Sequence, residues 1–167
     1  MYTKNNRELL TSKKMMINKI ITMLLFLFIL SCGQKSEPKE ILFVCTHGAA
    51  RSPIATAYFN KMVKEQNLNY HAIFKGTEPD SILTIETIKG LTKDEFKIQN
   101  WKPELVSENN IRDADRIITF DLELPSKGIS KNIEQWNGTP SISKDYNAAR
   151  DVIKEKVEQL VASLPKN

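Results

Sequence analysis

The sequence predicts an α/β fold: a three-layer sandwich around a central four-stranded parallel sheet, Rossmann-like in its alternation of strands and helices. Three observations predict it. Residues 41–44 (ILFV) are an unbroken apolar run, as in a strand buried on both faces. Strand-like runs at 70–75 (YHAIFK), 116–120 (RIITF) and 133–136 (IEQW) alternate with helical patterns, which implies βαβ units covered on both sides. Near the C-terminus Tyr146, Ala149, Ile153, Val157, Leu160 and Leu164 recur every three or four residues, a one-sided stripe for packing on a sheet.

The elements follow in order. Residues 1–31 form an N-terminal extension with a signal-like pattern. Ile20 to Leu30 is an apolar stretch of 11 residues, far short of the roughly 20 a spanning helix needs. Lys13, Lys14 and Lys19 precede it as a basic region, and Met15 or Met16 would start a signal peptide of ordinary length. Ile29-Leu30-Ser31-Cys32 then resembles a bacterial lipobox, which would make Cys32 the lipidated first residue of an exported, membrane-anchored lipoprotein on the periplasmic or cell-surface side. A plain signal or anchor, or a helix buried in the domain, are the alternatives. Residues 32–40 read as a polar tether, and 41–167 as one domain.

Within the domain, Ile54, Ala57, Tyr58, Met62 and Val63 give helical spacing from Pro53 to Asn67, with Ser52 read as N-cap and Pro53 as first helical residue. Gly76-Thr77-Glu78-Pro79 ends the second strand. A helix over 81–90 is expected to stop at Gly90. A short strand near Phe96–Ile98 and a helical turn near 107–113 are expected before the 116–120 strand. Residues 121–131 read as a loop, 133–136 as the last strand, and the final helix as running from Ser143 to Leu164.

Charge and cysteine content narrow the function classes. The whole chain carries net charge +4, but five basic and one acidic residue precede Cys32, so the remainder is formally neutral. No basic stripe with interleaved aromatics points to nucleic acid. The two cysteines, Cys32 and Cys45, leave no disulfide framework once Cys32 is lipidated. No metal ligand set and no cofactor motif stands out. Oligomeric state is not legible.

The densest chemistry lies at residues 45–52 (CTHGAARS). A strand ends on Cys45 and a helix opens near Ser52. Backbone N–H groups of Thr46, His47, Gly48, Ala49, Ala50 and Arg51 can cradle the oxygens of a phosphate-like anion. The helix N-terminus and the guanidinium of Arg51 favour an ionised sulfur on Cys45, which can attack phosphorus in line. Arg51 can bind two oxygens through its fork, and Ser52 can hydrogen-bond the sulfur. Gly48 supplies the backbone freedom a tight loop requires. In a parallel sheet the site lies beyond the carboxyl ends of the strands, where Cys45 and Asp121 both fall.

These residues resemble the low-molecular-weight protein tyrosine phosphatase family together with its arsenate reductase relatives. The resemblance rests on the strand, Cys45, five intervening residues, Arg51-Ser52-Pro53 and Ile54-Ala55. Gly76-Thr77 after the second strand and Ala114-Asp115 before residues 117–121 (IITFD) echo it, over residues 41–162. It implies the family's Rossmann-like phosphatase fold, with Cys45 as nucleophile, Arg51 as phosphate clamp and Ser52 as thiolate partner. Departures are equally visible. Loop position 48 often holds Asn in relatives, and here it is Gly48. Family phosphatases carry an Asp-Pro before the last helix whose carboxyl protonates the leaving oxygen. Here residues 136–140 read WNGTP, so Asn137 stands in that region. Asp121 and Asp145 are the remaining acid candidates, Asp121 alternatively holding loop geometry and Asp145 starting a helix. Asp80 and Thr139 occupy the expected aromatic wall positions, with Trp136 and Trp101 as possible compensation. His47 is expected at the mouth, and His71 in a structural place.

Three functions are weighed. The first is a phosphomonoesterase that hydrolyses phosphotyrosine or aryl phosphate through phosphocysteine, its partner a phosphorylated protein or small phosphate ester. The second is an arsenate reductase that uses Cys45 with an external thiol. The third is a non-catalytic oxyanion-binding lipoprotein.

Overall fold

The computed structural model describes residues 37–124 and 133–165, together with Met15, Met16 and Lys19. The chain divides into two compact units, residues 1–36 and 37–167. The apolar stretch from Ile20 and the lipobox Cys32 lie outside the described residues. Among those described, no helix is long and apolar enough to cross a membrane.

The second unit holds four parallel strands in the order β2-β1-β3-β4. These are β1 (Lys39–Cys45), β2 (Tyr70–Gly76), β3 (Arg116–Phe120) and β4 (Ile133–Trp136). β1 begins two residues inside the expected tether. It is central, so its side chains are buried on both faces, which is why the apolar run shows no alternation. Ile41, Phe43 and Cys45 face one core with Ile118 and Phe120, while Leu42, Val44 and Ile117 face the other.

Helices cover both faces. Helix α1 (Arg51–Glu65) and the last helix α4 (Tyr146–Ala162) bury Phe59, Val63, Ala149, Ile153 and Val157 against the larger core. Phe43 anchors it, with the rings of Phe59 and Trp136 at 5.9 and 5.7 Å. Short α3 (Glu108–Asp113) packs Ile111 on the opposite face, and Ser107 with Asn110 forms a reciprocal cap at its start. The outer edge of β2 is blunted by Asn60. Its carboxamide accepts from the Ala72 N–H at 2.7 Å and donates to the Ala72 carbonyl at 2.9 Å. That occupies the groups a foreign strand would pair with.

Three expectations are corrected. Residues 96–98 form no strand. Phe96 and Ile98 instead pack on the larger core, and the ladder contact that follows them is an isolated bridge between Leu105 and Gly76. Helix α2 spans Ile85–Lys93 and runs through Gly90. Gly90 is there for packing, because an added Cβ would overlap the ring of Tyr146. Ser52 does not cap α1. Ala50 is the N-cap, with no side-chain bond, and Ser52 lies inside the first turn with its hydroxyl turned to Cys45.

A polar hub ties α1, α2 and α4 together. The hydroxyls of Tyr58 and Tyr146 each donate to Asp94 at 2.8 Å, and Arg150 reaches the same carboxylate at 3.3 Å. Burial, then the hydrogen bond to Asp94, pushes both phenols above the ordinary tyrosine range. The unfolded chain ionises these tyrosines near pH 10 while the fold keeps them neutral. Their contribution to stability is therefore complete below about pH 10 and is lost as pH rises beyond it. The midpoint of urea unfolding is expected to fall between pH 9 and pH 11, and Tyr58→Phe with Tyr146→Phe should flatten that fall. An unchanged slope in the double variant would reject this role.

Candidate active site

The strand order places Cys45 at the carboxyl end of the central strand, directly before the first turn of α1. The loop between them is held by its carbonyls. Those of Cys45, Thr46, His47 and Ala49 accept from the N–H groups of Thr77, Glu78, Asp80 and Thr84 at 3.3, 2.8, 3.0 and 3.0 Å. The loop's N–H groups remain. Among the described residues, none from Thr46 to Ser52 has a protein acceptor. A continuous run of unpaired donors between a cysteine and a helix start is an arrangement suited to an oxyanion.

Two glycines make the loop possible. Gly48 has φ +59°, a left-handed conformation that side chains resist. Gly76 lies against it, and a Cβ on Gly76 would come within 2.8 Å of the Gly48 nitrogen. In the sequence Gly76 reads as the end of a strand. Its closeness to the loop is a tertiary fact, signalled only by a Gly-Thr pair after a buried strand.

Cys45 is buried, and the Ser52 hydroxyl, wholly buried, sits 3.0 Å from its sulfur. That hydroxyl can donate to an ionised sulfur both before attack and as the sulfur leaves phosphorus. Arg51 lies with its guanidinium 5.9 Å from the centre of the Phe120 ring and forms an ion pair with Asp121. Asp121 is a non-glycine residue at φ +50°, one residue beyond β3. Its second oxygen accepts from the Gly138 N–H at 2.9 Å. Both oxygens are thus occupied as acceptors, which suits a residue that aims Arg51 better than one that donates a proton. Asp121→Asn keeps the size but cannot serve both partners. It is expected to lower kcat/KM by about 10–100-fold, equally for good and poor leaving groups. A loss that steepens with leaving-group basicity would instead make Asp121 the acid.

The other candidates are distributed unevenly. Asp145 is the N-cap of α4, its carboxylate accepting from the Ala148 N–H at 3.0 Å, and it does not line the cleft beside Arg51. His47 is exposed, with Nδ1 3.2 Å from the Glu78 carbonyl and 3.6 Å from the Asp80 carboxylate, at the mouth of the loop. His71 pairs with Glu40 at 3.1 Å on β2. Neither tryptophan supplies an aromatic wall. Trp136 is core, its Nε1–H donating to Glu134, and Trp101 packs on Phe74. Beside the loop lies a cleft of about 370 Å³, lined by Ala50, Arg51, Thr84, Thr139, Ser141 and Ser143 among others, with no aromatic ring. Among the described residues no cluster of His, Cys, Asp and Glu could hold a metal.

The fold and site define an α/β domain whose four-stranded parallel sheet presents a cysteine, a loop of unpaired N–H groups and an arginine at its carboxyl edge. Residues 40–137 match the family model described as low molecular weight phosphotyrosine protein phosphatase. A solved arsenate reductase from Archaeoglobus fulgidus is 30% identical, with 74% of this chain and 99% of that one covered and a TM-score of 0.61. The chain belongs to the low molecular weight phosphotyrosine protein phosphatase family, which includes arsenate reductases. The same fold appears in YfkJ from Bacillus subtilis, at 22% identity, 77% and 96% coverage and a TM-score of 0.69. It appears again in the low molecular weight protein tyrosine phosphatase SP-PTP from Streptococcus pyogenes, at 16% identity, 77% and 95% coverage and 0.66. No curated protein sequence matches the chain.

Proposed function

We propose that this chain is a phosphomonoesterase acting on phosphotyrosine or aryl phosphate through a phosphocysteine on Cys45. The observation that carries this reading is the run of unpaired N–H groups from Thr46 to Ser52 that directly follows Cys45. The sulfur attacks phosphorus as the ester P–O bond breaks, and charge on the equatorial oxygens is met by loop N–H groups and Arg51. The leaving oxygen takes its proton from water, because Asn137 has none to give. Water then attacks phosphorus, the S–P bond breaks, and the Ser52 hydroxyl stabilises the departing sulfur.

A second reading is arsenate reduction, favoured by Asn137 and by the 30% identical arsenate reductase. Arsenate needs no acid for an organic leaving group. Cys45 would form a thiol–arsenate adduct, and an external thiol would form a disulfide with Cys45 as As(V) becomes As(III). A third reading is oxyanion binding without turnover.

One experiment separates them. Residues 37–167 carry the whole sheet and both cores, so this unit folds without the extension. It is assayed with p-nitrophenyl phosphate, with phosphotyrosine peptide, and with arsenate plus a small thiol or thiol-reductase system. Turnover of the esters that depends on Cys45 supports the first reading. Arsenite formation without ester turnover supports the second, and phosphate binding with neither supports the third. We also propose that Cys32 is lipidated and tethers the domain outside the cytoplasm. Fatty-acid labelling of the full chain that survives Cys32→Ser would refute it.

A further inference from the structure

In the domain, the large apolar side chains exposed among the described residues are Ile82, Ile85, Ile88 and Leu105, at 65, 60, 39 and 61% exposure. Each lies within a few residues of Thr84 or pairs with Gly76, which hold the Cys45–Arg51 loop. Ile82 and Ile85 flank Thr84, which donates its N–H to the loop carbonyl of Ala49 and lines the cleft. Ile85 and Ile88 are three residues apart on α2 and share a face. Leu105 sits between Glu104 and Val106, which bond the two sides of Gly76 where it packs on Gly48. Exposed apolar residues scattered singly need no explanation, but grouped at the mouth of a cleft they mark an interaction surface.

The cleft makes the grouping informative. Its walls are the short side chains of Ala50, Thr84, Thr139, Pro140, Ser141, Ile142 and Ser143 beside Arg51, so it offers a substrate ring no aromatic partner. None of Ile82, Ile85 and Ile88 lines the cleft, so only a ligand that extends beyond it would touch them.

We propose that this rim docks the polypeptide on either side of a phosphorylated residue, with apolar side chains at the flanking positions. The proposal rests on the phosphatase reading of the same site. Continuity argues for the occupant: Thr84 is one wall of the cleft, so a chain whose phosphate lies in the loop and that leaves on this side runs past Ile82 and Ile85. Charge argues against an anionic lipid surface, since Glu78, Asp80 and Glu86 outnumber Lys89 along this stretch.

The test uses residues 37–167 and two phosphotyrosine peptides, identical except for leucine or serine at the flanking positions. Affinities are measured on Cys45→Ser, which holds phosphate without turning it over. The leucine peptide should bind about tenfold tighter, from apolar area removed from water. Ile82→Ser with Ile85→Ser should erase that difference. In otherwise wild-type protein the same pair should leave p-nitrophenyl phosphate turnover unchanged. Equal affinities for the two peptides overturn the docking surface whatever the turnover. A peptide preference without any ester turnover overturns the phosphatase reading alone. Loss of a dimer in light scattering, or loss of binding to phosphatidylglycerol vesicles, with the peptide difference intact in the double serine variant, assigns the patch elsewhere and overturns the proposal.

Discussion

Cys45→Ser is expected to abolish hydrolysis of aryl phosphates, by on the order of 10⁴-fold or more, while phosphate affinity stays within a few-fold of wild type. The two halves of this expectation come from different atoms. Turnover needs the sulfur, the only nucleophile at the centre of the loop. Binding needs the N–H groups of residues 46–52 and the guanidinium of Arg51, and none of these belongs to the Cys45 side chain. Serine fits the space, since the neighbour at 3.0 Å is itself a hydroxyl that can donate or accept. Single-turnover kinetics with p-nitrophenyl phosphate and calorimetry with inorganic phosphate check the two halves separately. Residual turnover near the wild-type rate would place the nucleophile elsewhere. Loss of both turnover and phosphate binding would mean that the loop needs its sulfur to keep its shape.

The parts of this site that were legible in the sequence are those written into one continuous segment. The apolar run, Cys45, Gly48 and the Arg51-Ser52 pair lie within 12 residues, and each announces its chemistry by type and spacing. Ser52 was legible as a partner of the sulfur and misread as a cap, because Ser before Pro is also an ordinary helix start. The surroundings were harder to read. Arg51 is aimed by Asp121, 70 residues away, and rests over Phe120, which reads as plain core. The loop's carbonyls are held by residues 77–84, whose sequence reads as a turn running into a helix and carries no sign of that contact.

The parallel direction of the sheet was implied by alternation, since each predicted strand has a helix or a long crossover before the next, whereas the order β2-β1-β3-β4 was not. The misplaced elements share a cause. Gly90 looks like a stop because glycine is a poor helix former, yet α2 continues through it to admit the ring of Tyr146. Residues 96–98 have β-type composition, but β2 already has Asn60 on its edge and accepts a neighbour only at Gly76. In both places tertiary packing overrode local propensity.

Asn137→Asp is expected to raise the rate on phosphotyrosine peptide by about 10–10³-fold and the rate on p-nitrophenyl phosphate much less. The backbone fixes where that side chain begins. Before it, the carbonyl of Trp136 accepts from the Asp121 N–H at 3.3 Å; after it, the Gly138 N–H donates to the Asp121 carboxylate at 2.9 Å. Asp121 in turn pairs with Arg51. The backbone at residue 137 is therefore pinned beside the partner of Arg51, and a carboxyl that reaches a leaving oxygen from there can protonate it where a carboxamide cannot. Tyrosine is the poorer leaving group and has the most to gain from an acid, so the ratio of the two rates, more than either alone, reports proton donation. An added acid must also be protonated to act, so the variant's rate on phosphotyrosine should fall as pH rises, a limb the wild type lacks. Asn137 is exposed, so the change should leave stability within about 0.5 kcal/mol, and the rate reads chemistry rather than folding. If both substrates keep their wild-type ratio and no new limb appears, residue 137 does not reach the leaving group, and the cleft beside Arg51 receives its substrate from another side.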